Sequence, residues 1–331
     1  MTDAAAVLGA GNMGTALAQV IAGNGHAVRL WSIEHDVLED IRDNRLNTKY
    51  LEGVPLHDNI EAHWDLGKAI GGARLVIISV PSQIVRRIAK DIAPFVKPRQ
   101  VVLNVAKGLE ADTHRRMSQV ITDELDDACD PYVGSMGGPA VAIDMARGQP
   151  VALIIAVTNR ESQSVCQFML QSPRVKVDTT HDVPGLELCA TLKNVYSISL
   201  GMSDGMGYGT NTKALLASIS LREMSAIVPA LGGEQSTVYG LAGVGDLITT
   251  GFSPHGRNRT LGEHLGDGSD WRTFIRDHTV EGVVAARAIG ELVVGKQLYL
   301  PLFSMIHAVL FSEAPAPESL NRFLQDFTYG T

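Results

Sequence analysis

A glycine-rich turn near the amino terminus constrains the fold of this chain more than any other feature. The run Gly9-Ala10-Gly11-Asn12-Met13-Gly14 follows an apolar stretch at residues 4–8 and precedes a helical pattern at residues 15–22. A second apolar stretch, at residues 26–31, ends about 20 residues after the motif begins, as in a dinucleotide-binding βαβ unit. The sequence therefore predicts that NAD or NADP binds at the start of the first helix. A purely structural turn is the alternative.

The three glycines have separate roles in such a unit. Gly9 permits the tight turn, Gly11 lets a pyrophosphate approach the backbone, and Gly14 lets the helix pack closely on the strand. The helix then presents unpaired N–H groups and the positive end of its dipole to the phosphates. We therefore expect the phosphates of the cofactor to lie against this turn.

Strand and helix patterns alternate through the first half of the chain. Further strand patterns fall at residues 75–80, 101–105, 132–134, 151–157 and 175–177, and helical patterns at residues 84–95 and 117–125. Such alternation is typical of an α/β fold with right-handed crossovers. The sequence predicts a Rossmann-type, doubly wound parallel sheet.

The pattern changes near Pro184, after which strand signals are scarce. Apolar residues recur at helical spacing in Leu188, Leu192 and Val195, and again at residues 212–231, 283–294 and 302–311. We therefore predict an α/β cofactor domain at residues 1–185 and an all-α substrate domain at residues 186–331. We expect the active site to lie in the cleft between them.

Composition excludes several classes of function. The formal net charge of -8 disfavours a broad nucleic-acid interface, which needs a basic excess. Cys129, Cys166 and Cys189 have no paired spacing, so we expect neither a disulfide framework nor a metal site. The apolar runs are shorter than the roughly 20 residues of a membrane span, and no signal peptide is evident. We expect a cytoplasmic protein.

The end of the second strand pattern bears on the choice between NAD and NADP. An acid there binds the ribose 2′-hydroxyl, whereas an arginine accommodates a 2′-phosphate. The chain reads Trp31-Ser32-Ile33-Glu34-His35, with an acid and no arginine. We expect NAD, with NADP as the alternative; His35 is interpreted as a solvated loop residue.

Motif clusters along the chain resemble the NAD(P)-dependent glycerol-3-phosphate dehydrogenases. Their order and approximate spacing match that family from the glycine-rich turn to Val280-Glu281-Gly282. The clusters between these ends are Ala106-Lys107-Gly108-Leu109-Glu110, Gly138-Pro139, Leu192-Lys193-Asn194-Val195, Gly201-Met202-Ser203-Asp204-Gly205, residues 240–247 and Arg257-Asn258-Arg259. The resemblance implies reversible reduction of dihydroxyacetone phosphate to sn-glycerol 3-phosphate, supply of phospholipid synthesis, and a homodimer.

The resemblance also implies roles for individual residues. Lys193 matches the catalytic lysine, Asp246 the acid that organises the site, and Lys107 a lysine near both substrate and nicotinamide. Position 33 is basic in many bacterial members and apolar in NAD-specific eukaryotic ones, so Ile33 favours NAD. The implied substrate contacts are Lys107, Gly138, Lys193, Arg257 and Asn258; the implied cofactor contacts are Gly9, Gly11, Asn12, Met13, Gly14, Ile33, Lys107, Ala142, Arg257 and Glu281.

The chemistry of ketone reduction favours the same choices. Hydride addition places negative charge on the carbonyl oxygen, so a proton donor or cation must sit beside it. A lysine ammonium suits that role, and an arginine offers a planar fork for a phosphate. The cofactor supplies the hydride, and no metal is needed.

The chain departs from the family pattern near Gly138. Bacterial members usually have Thr or Asn where this chain has Ala140, a Lys/Ser-Glu pair in place of Ile143-Asp144, and a serine where it has Gly256. These departures keep open a related dehydrogenase with a different hydroxy acid or phosphorylated substrate. A non-catalytic NAD-binding protein is a second alternative, and the retained Lys193, Asp246 and Arg257-Asn258 argue against it.

Each candidate residue also has a plain structural interpretation. Lys193 can be a surface lysine covering apolar neighbours, and Lys107 a loop cation. Asp246 can be a helix N-cap, and Arg257 part of an ordinary turn. We interpret Asp204 as a structural turn residue and Lys213 as a residue near the site or covering a helix.

Overall fold

The chain folds into two units in the computed structural model, which describes residues 3–125, 132–253 and 256–328. Unit 1 runs to Glu110 and resumes from Arg115 to Val183. Unit 2 takes Ala111–His114 and the described residues from Pro184 onward. Cys166 and Cys189 are buried, whereas Cys129 lies outside the described residues.

Unit 1 is built on an eight-stranded sheet. Its strand order is β3-β2-β1-β4-β5-β6-β7-β8, which contains the 3-2-1-4-5-6 order of dinucleotide-binding folds. The predicted doubly wound Rossmann-type fold is confirmed. The strands are β1 (Ala4–Leu8), β2 (Ala27–Trp31), β3 (Ile60–His63), β4 (Leu75–Ile78), β5 (Val101–Asn104), β6 (Tyr132–Gly137), β7 (Val151–Ala156) and β8 (Val175–Thr180).

Alternate residues of the central strands face opposite sides of the sheet. Ala5 and Val7 of β1 belong to one core cluster, and Ala6 and Leu8 belong to the other. A sheet covered on both faces buries every position of its central strands, which explains the continuous apolar runs of the sequence.

The predicted parallel sheet is mostly parallel, and one strand pair in it is antiparallel. Strand β7 runs antiparallel to β6, with Ser135 opposite Ala156, and β8 then runs parallel to β7. The helix between β6 and β7 spans only Ala142–Ala146. Five helical residues extend about 7 Å, and six strand residues about 20 Å, so this helix cannot return the chain to the opposite edge.

Seven α-helices lie in the described part of unit 1. The predicted helix at residues 84–95 is shorter than expected, because Pro94 lacks an N–H group and disfavours helix at the preceding residue. The helices are α1 (Asn12–Gly23), α2 (His35–Asn44), α3 (Leu66–Ile70), α4 (Val85–Ile92), α5 (Met117–Glu124), α6 (Ala142–Ala146) and α7 (Arg160–Leu170).

The regular secondary structure in the described part of unit 2 is helical, as predicted. Its first helix is buried on all sides, which is the pattern of a central helix. The helices are α8 (Val183–Gly205), α9 (Thr210–Ala230), α10 (Gln235–Val238), α11 (Asp246–Phe252), α12 (Arg257–Asp267), α13 (Trp271–Asp277), α14 (Glu281–Leu292), α15 (Pro301–Phe311) and α16 (Ala316–Asp326).

Glycines on two helices let α8 and α12 approach closely. A Cβ on Gly201 of α8 would overlap the carbonyl oxygen of Arg259, and one on Gly262 of α12 would overlap that of Ile198. The backbones therefore touch at this crossing. The contact fixes the start of α12 beside the middle of α8.

A buried carboxylate joins α8, α9 and the start of α15. Glu223 accepts hydrogen bonds from the Tyr196 hydroxyl at 2.9 Å and from the backbone N–H groups of Leu302 and Phe303 at 2.7 and 2.8 Å. Burial raises the pKa of Glu223 to about 7, although these hydrogen bonds act in the opposite direction. Glu223 thereby satisfies the amino terminus of α15.

Among the described residues, no helix combines the length and hydropathy needed to cross a bilayer.

The glycine crossing predicts a local cost of substitution. We expect Gly262→Ala to lower the free energy of unfolding by about 1–3 kcal/mol, because the added methyl must separate two packed backbones. Gly23→Ala is the matched control, since a Cβ there meets no atom within 4 Å. Urea denaturation of both variants measures the difference. Equal stabilities would contradict the close crossing.

Candidate active site

The glycine-rich turn leaves space for a ligand beside its backbone. Gly9 has φ +114°, and a Cβ on Gly14 would overlap the carbonyl oxygen of Gly9. Beside Gly11, in contrast, a Cβ would meet no atom within 4 Å. Gly11 is the N-cap of α1, and it has no side chain that could accept a hydrogen bond from the first N–H groups of the helix. The N–H groups of Asn12 and Met13 therefore stand at a helix start that has no side-chain cap. These residues fit a pyrophosphate.

A buried amide supports this turn, and the sequence analysis missed it. Asn47 is only 1% exposed, and its Nδ2 donates to the Ala10 carbonyl and the Thr15 hydroxyl, both at 2.8 Å. The segment that follows β2 and α2 therefore returns to the turn. No local motif marks Asn47, because its partners lie more than thirty positions away.

The end of β2 holds an acid and an unforeseen base. Ile33 is 73% exposed, and the Ser32 hydroxyl accepts a hydrogen bond from the Glu34 N–H at 3.1 Å. Lys49 Nζ lies 2.5 Å from Glu34 Oε1. No arginine follows β2 in the sequence, as the preference for NAD assumed. A lysine from a later segment nevertheless lies beside Glu34.

Three predicted residues of unit 1 line one small cavity. Met13, Lys107 and Gly138 contribute to its wall, together with Ala140. The structure thus brings together a residue of the glycine-rich turn and residues that follow β5 and β6. Ala142, at the start of α6, packs against the neighbouring core cluster.

An ion-pair network anchors the loop that carries Lys107. Arg86 of α4 donates to both carboxylate oxygens of Glu110, at 2.7 and 2.8 Å, and to Glu124 at 2.5 Å. These hydrogen bonds raise the pKa of the Arg86 guanidinium. Asn104 holds the start of the loop by a mutual pair of hydrogen bonds with Ala106. A bidentate arginine pair restricts the loop on the side after Lys107.

Unit 2 contains a buried lysine with an acidic partner. Lys193 of α8 is 4% exposed, and Asp246 at the start of α11 is 2% exposed. Lys193 Nζ donates to Asp246 Oδ1 at 2.6 Å and to the Thr250 hydroxyl at 2.5 Å. The surface-lysine interpretation of Lys193 is therefore wrong. Thr250 was missed, because only the folding of α11 brings it to the lysine.

A wide helical turn places Asp246 next to Lys193. Residues Leu241–Gly245 form a single π-helical turn that leads directly into α11. Gly245, not Asp246, is the N-cap of α11, so the N-cap interpretation of Asp246 is also wrong. The carboxylate is directed to Lys193 instead, and π-turns often occur at functional sites.

Amide side chains connect three helices next to this pair. Asn258 Nδ2 of α12 donates to Asn194 Oδ1 of α8 at 3.0 Å, and its Oδ1 accepts from the Gly282 N–H of α14 at 2.8 Å. Asn194 Nδ2 donates to Glu281 Oε2 at 3.3 Å. Asn258 and Glu281 therefore share one network, joined by Asn194.

Arg257 occupies a different position from its neighbour Asn258. It is the first residue of α12 and is exposed, and the N-cap Gly256 gives no side-chain cap. An exposed guanidinium at an uncapped helix start suits an anion.

Asp204 belongs to a separate ion-pair cluster. Its Oδ2 accepts from Lys213 Nζ at 2.6 Å and from Arg259 Nε at 2.7 Å. Asp204 lies in the last turn of α8, so its interpretation as a loop turn is wrong. Lys213 is held in this ion pair.

Within the described ranges, no three His, Cys, Asp or Glu side chains are grouped to hold a metal ion. Unit 2 offers a buried ammonium with a fixed acidic partner, and unit 1 offers open space beside Gly11 at a helix start. Proton donation to an oxyanion and dinucleotide binding are the chemical functions these groups suit.

Family models match most of the chain. A model described as the amino terminus of NAD-dependent glycerol-3-phosphate dehydrogenase matches residues 4–163, and one described as its carboxyl terminus matches residues 182–321.

Individual relatives cover nearly the full length. The chain is 37% identical over 327 residues to a glycerol-3-phosphate dehydrogenase (NAD(P)+) of Moorella thermoacetica, covering 98% of this chain and 96% of the relative. It is 35% identical over 320 residues to that of Fusobacterium nucleatum, covering 96% and 95%. A solved glycerol-3-phosphate dehydrogenase structure from Coxiella burnetii matches with a TM-score of 0.90 and 30% identity, covering 98% of this chain and 99% of the other.

The buried pair in unit 2 predicts strong coupling between its members. We expect Lys193→Met and Asp246→Leu each to lower the free energy of unfolding by about 3–5 kcal/mol, because each leaves an uncompensated buried charge. The double variant, which buries no charge, should lose far less than the sum. Urea denaturation of the four proteins measures the coupling free energy. Strictly additive losses would show that the two charges do not interact.

Proposed function

The chain belongs to the NAD-dependent glycerol-3-phosphate dehydrogenase family, and from this premise we propose that it reversibly reduces dihydroxyacetone phosphate to sn-glycerol 3-phosphate. The reduced nicotinamide, when bound, supplies the hydride to the carbonyl carbon. The carbonyl π electrons move to the oxygen, which takes a proton. The protein's task is to bind, orient and protonate.

The buried Lys193 ammonium is the observation that carries this proposal. It lies within hydrogen-bond distance of Asp246 and Thr250, which fix its position on α8. An oxyanion that forms in a water-poor site is stabilised strongly by a positioned cation. Lys193 protonates the carbonyl oxygen in the reductive direction, and Asp246 is the positioning residue that holds the ammonium.

Arg257 is proposed to hold the substrate phosphate. Its exposed guanidinium stands at the uncapped start of α12, where a planar fork and the helix dipole both favour an anion. Asn258, the next residue, is also a proposed substrate contact by the resemblance, and it has a positioning task as well. Its amide ties α12 to α8 and α14, so it fixes the position of its neighbour.

The remaining domain and contact assignments are proposed from the family resemblance. Residues 1–185 hold the cofactor, and residues 186–331 carry the catalytic lysine. The proposed cofactor contacts are Gly9, Gly11, Asn12, Met13, Gly14, Ile33, Lys107, Ala142, Arg257 and Glu281; Lys107 and Gly138 are proposed to contact substrate.

Ala140 favours one alternative substrate class. It lines the same cavity as Lys107 and Gly138, at the position where many family members have Thr or Asn. An alanine there offers no hydrogen bond, so a different phosphorylated ketone or a hydroxy acid is the second candidate substrate. Comparing kcat/KM across such compounds separates the two candidates.

A homodimer and supply of phospholipid synthesis are further parts of the proposal, and both rest on the resemblance. A cytoplasmic location is also proposed, and it rests on the sparse, unpaired spacing of the three cysteines, which is compatible with a reducing compartment.

Removal of the ammonium tests the reaction and the catalytic residue together. We expect Lys193→Ala to lower kcat with dihydroxyacetone phosphate by about 10²–10⁴-fold, the usual contribution of a positioned proton donor. Oxidation of NADH and of NADPH is followed by their absorbance. Lys296→Ala removes an exposed lysine of the same unit and should leave kcat unchanged.

Cofactor binding and circular dichroism identify a variant that has simply unfolded. Lys193→Met, which keeps the apolar stem, should lose activity to a similar extent. If wild-type protein binds cofactor but does not turn over dihydroxyacetone phosphate, the proposed substrate is wrong. A different phosphorylated ketone or a hydroxy acid then becomes the leading candidate.

Phosphate recognition has a separate signature. We expect Arg257→Ala to raise KM for dihydroxyacetone phosphate by about 10- to 100-fold, because a charged hydrogen bond contributes about 1.5–3 kcal/mol. Arg276→Ala, at an exposed position of α13, is the control. An unchanged KM in the Arg257 variant would remove it from the phosphate site.

A further inference from the structure

An exposed ion pair lies at the carboxyl end of β2, where dinucleotide-binding folds contact the adenosine ribose. Glu34 is the N-cap of α2, and its Oε1 lies 2.5 Å from Lys49 Nζ. Asp36 Oδ2 lies 3.8 Å from the same ammonium. The Lys49 side chain is about half exposed, and the Glu34 side chain is partly exposed. A ligand in solvent can therefore reach both charges.

The position of Lys49 is fixed by its neighbours rather than by its own ion pair. Asn47, two residues earlier, is anchored to the glycine-rich turn through the Ala10 carbonyl and the Thr15 hydroxyl. The Thr48 N–H donates to Asp40 Oδ2 of α2 at 2.9 Å. Lys49 is thereby held near the helix start where the phosphates are expected. Its ammonium also lies 5.4 Å from the centre of the Tyr50 ring.

We propose that Glu34 and Lys49 form an exchangeable pair that admits either a ribose 2′-hydroxyl or a 2′-phosphate. The inference rests on the proposed function, in which unit 1 holds the cofactor. With NAD, Glu34 accepts the hydrogen bond of the 2′-hydroxyl. With NADP, Lys49 leaves Glu34 and binds the 2′-phosphate.

Charge explains why the lysine matters. A lone acid at this position binds the 2′-hydroxyl and repels a 2′-phosphate. Lys49 neutralises that acid in the absence of a phosphate and pairs with the phosphate when one arrives. The exchange costs little, because an exposed ion pair contributes little to stability. No arginine is required to bind the 2′-phosphate. The lysine that takes this role comes from a later segment, so the residues directly after β2 do not reveal it.

Cofactor binding without substrate tests the pair directly. NADH and NADPH are titrated separately into the full-length protein, and nicotinamide fluorescence reports each Kd. We expect Lys49→Met to raise the Kd of NADPH about tenfold, the effect of losing one charge-assisted hydrogen bond, and to change that of NADH by less than about threefold. Glu34→Gln should act in the opposite sense, weakening NADH and strengthening NADPH.

The matched control is Lys90→Met, which removes an exposed lysine of α4 in the same unit. It should alter neither Kd. Equal loss of both cofactors in Lys49→Met would overturn the inference, as would an unchanged Kd for NADPH. Wild-type protein that binds neither cofactor would overturn both the inference and the proposed function.

The substrate assignment is tested independently of the pair. Selective loss of NADPH in a protein inactive on dihydroxyacetone phosphate would support the pair and refute the substrate. Turnover of dihydroxyacetone phosphate with equal cofactor losses in the variant would refute the pair alone.

Discussion

The ion pair between Lys193 and Asp246 is the interaction around which the described part of unit 2 is arranged. Two charges that are nearly excluded from water are tolerated only when each is paired and hydrogen-bonded. Three features provide this environment: the fully buried middle of α8, the π-helical turn before α11, and Thr250 one turn into α11.

The close crossing of α8 and α12 extends this arrangement to a second group of polar residues. Gly201 and Gly262 let the backbones touch, and Asn258 then reaches Asn194, the residue next to Lys193. The two glycines therefore affect polar groups that they do not contact themselves. They set the spacing at which short amide side chains can join helices, and Arg257 is placed by the same helix start.

The sequence was sufficient for those parts of the structure that depend on local pattern. The glycine-rich turn, the buried strands and the long helices follow from periodicity and glycine placement. The motif clusters also contain Lys193, Asp246 and Asn258, which the structure places in buried hydrogen bonds. Contacts between distant segments were not accessible in this way. Asn47, Lys49 and Thr250 have no distinguishing local pattern, and folding alone brings them to Ala10, Glu34 and Lys193. The antiparallel β7 was missed because its direction depends on the length of α6, a helix too short to show periodicity.

The two lysine–carboxylate pairs show how burial changes the use of the same chemistry. The Lys193 and Asp246 side chains are 5% and 2% exposed, whereas those of Lys49 and Glu34 are 49% and 30% exposed. In a water-poor environment the attraction is strong, and separating the charges leaves both unsolvated, so the buried pair keeps its geometry. Near water the same attraction is weak. A phosphate can then replace the carboxylate as the partner of the lysine, and a hydroxyl can replace the ammonium as the partner of the carboxylate. A fixed ammonium suits proton donation to a substrate, and an exchangeable one suits a choice between two cofactors.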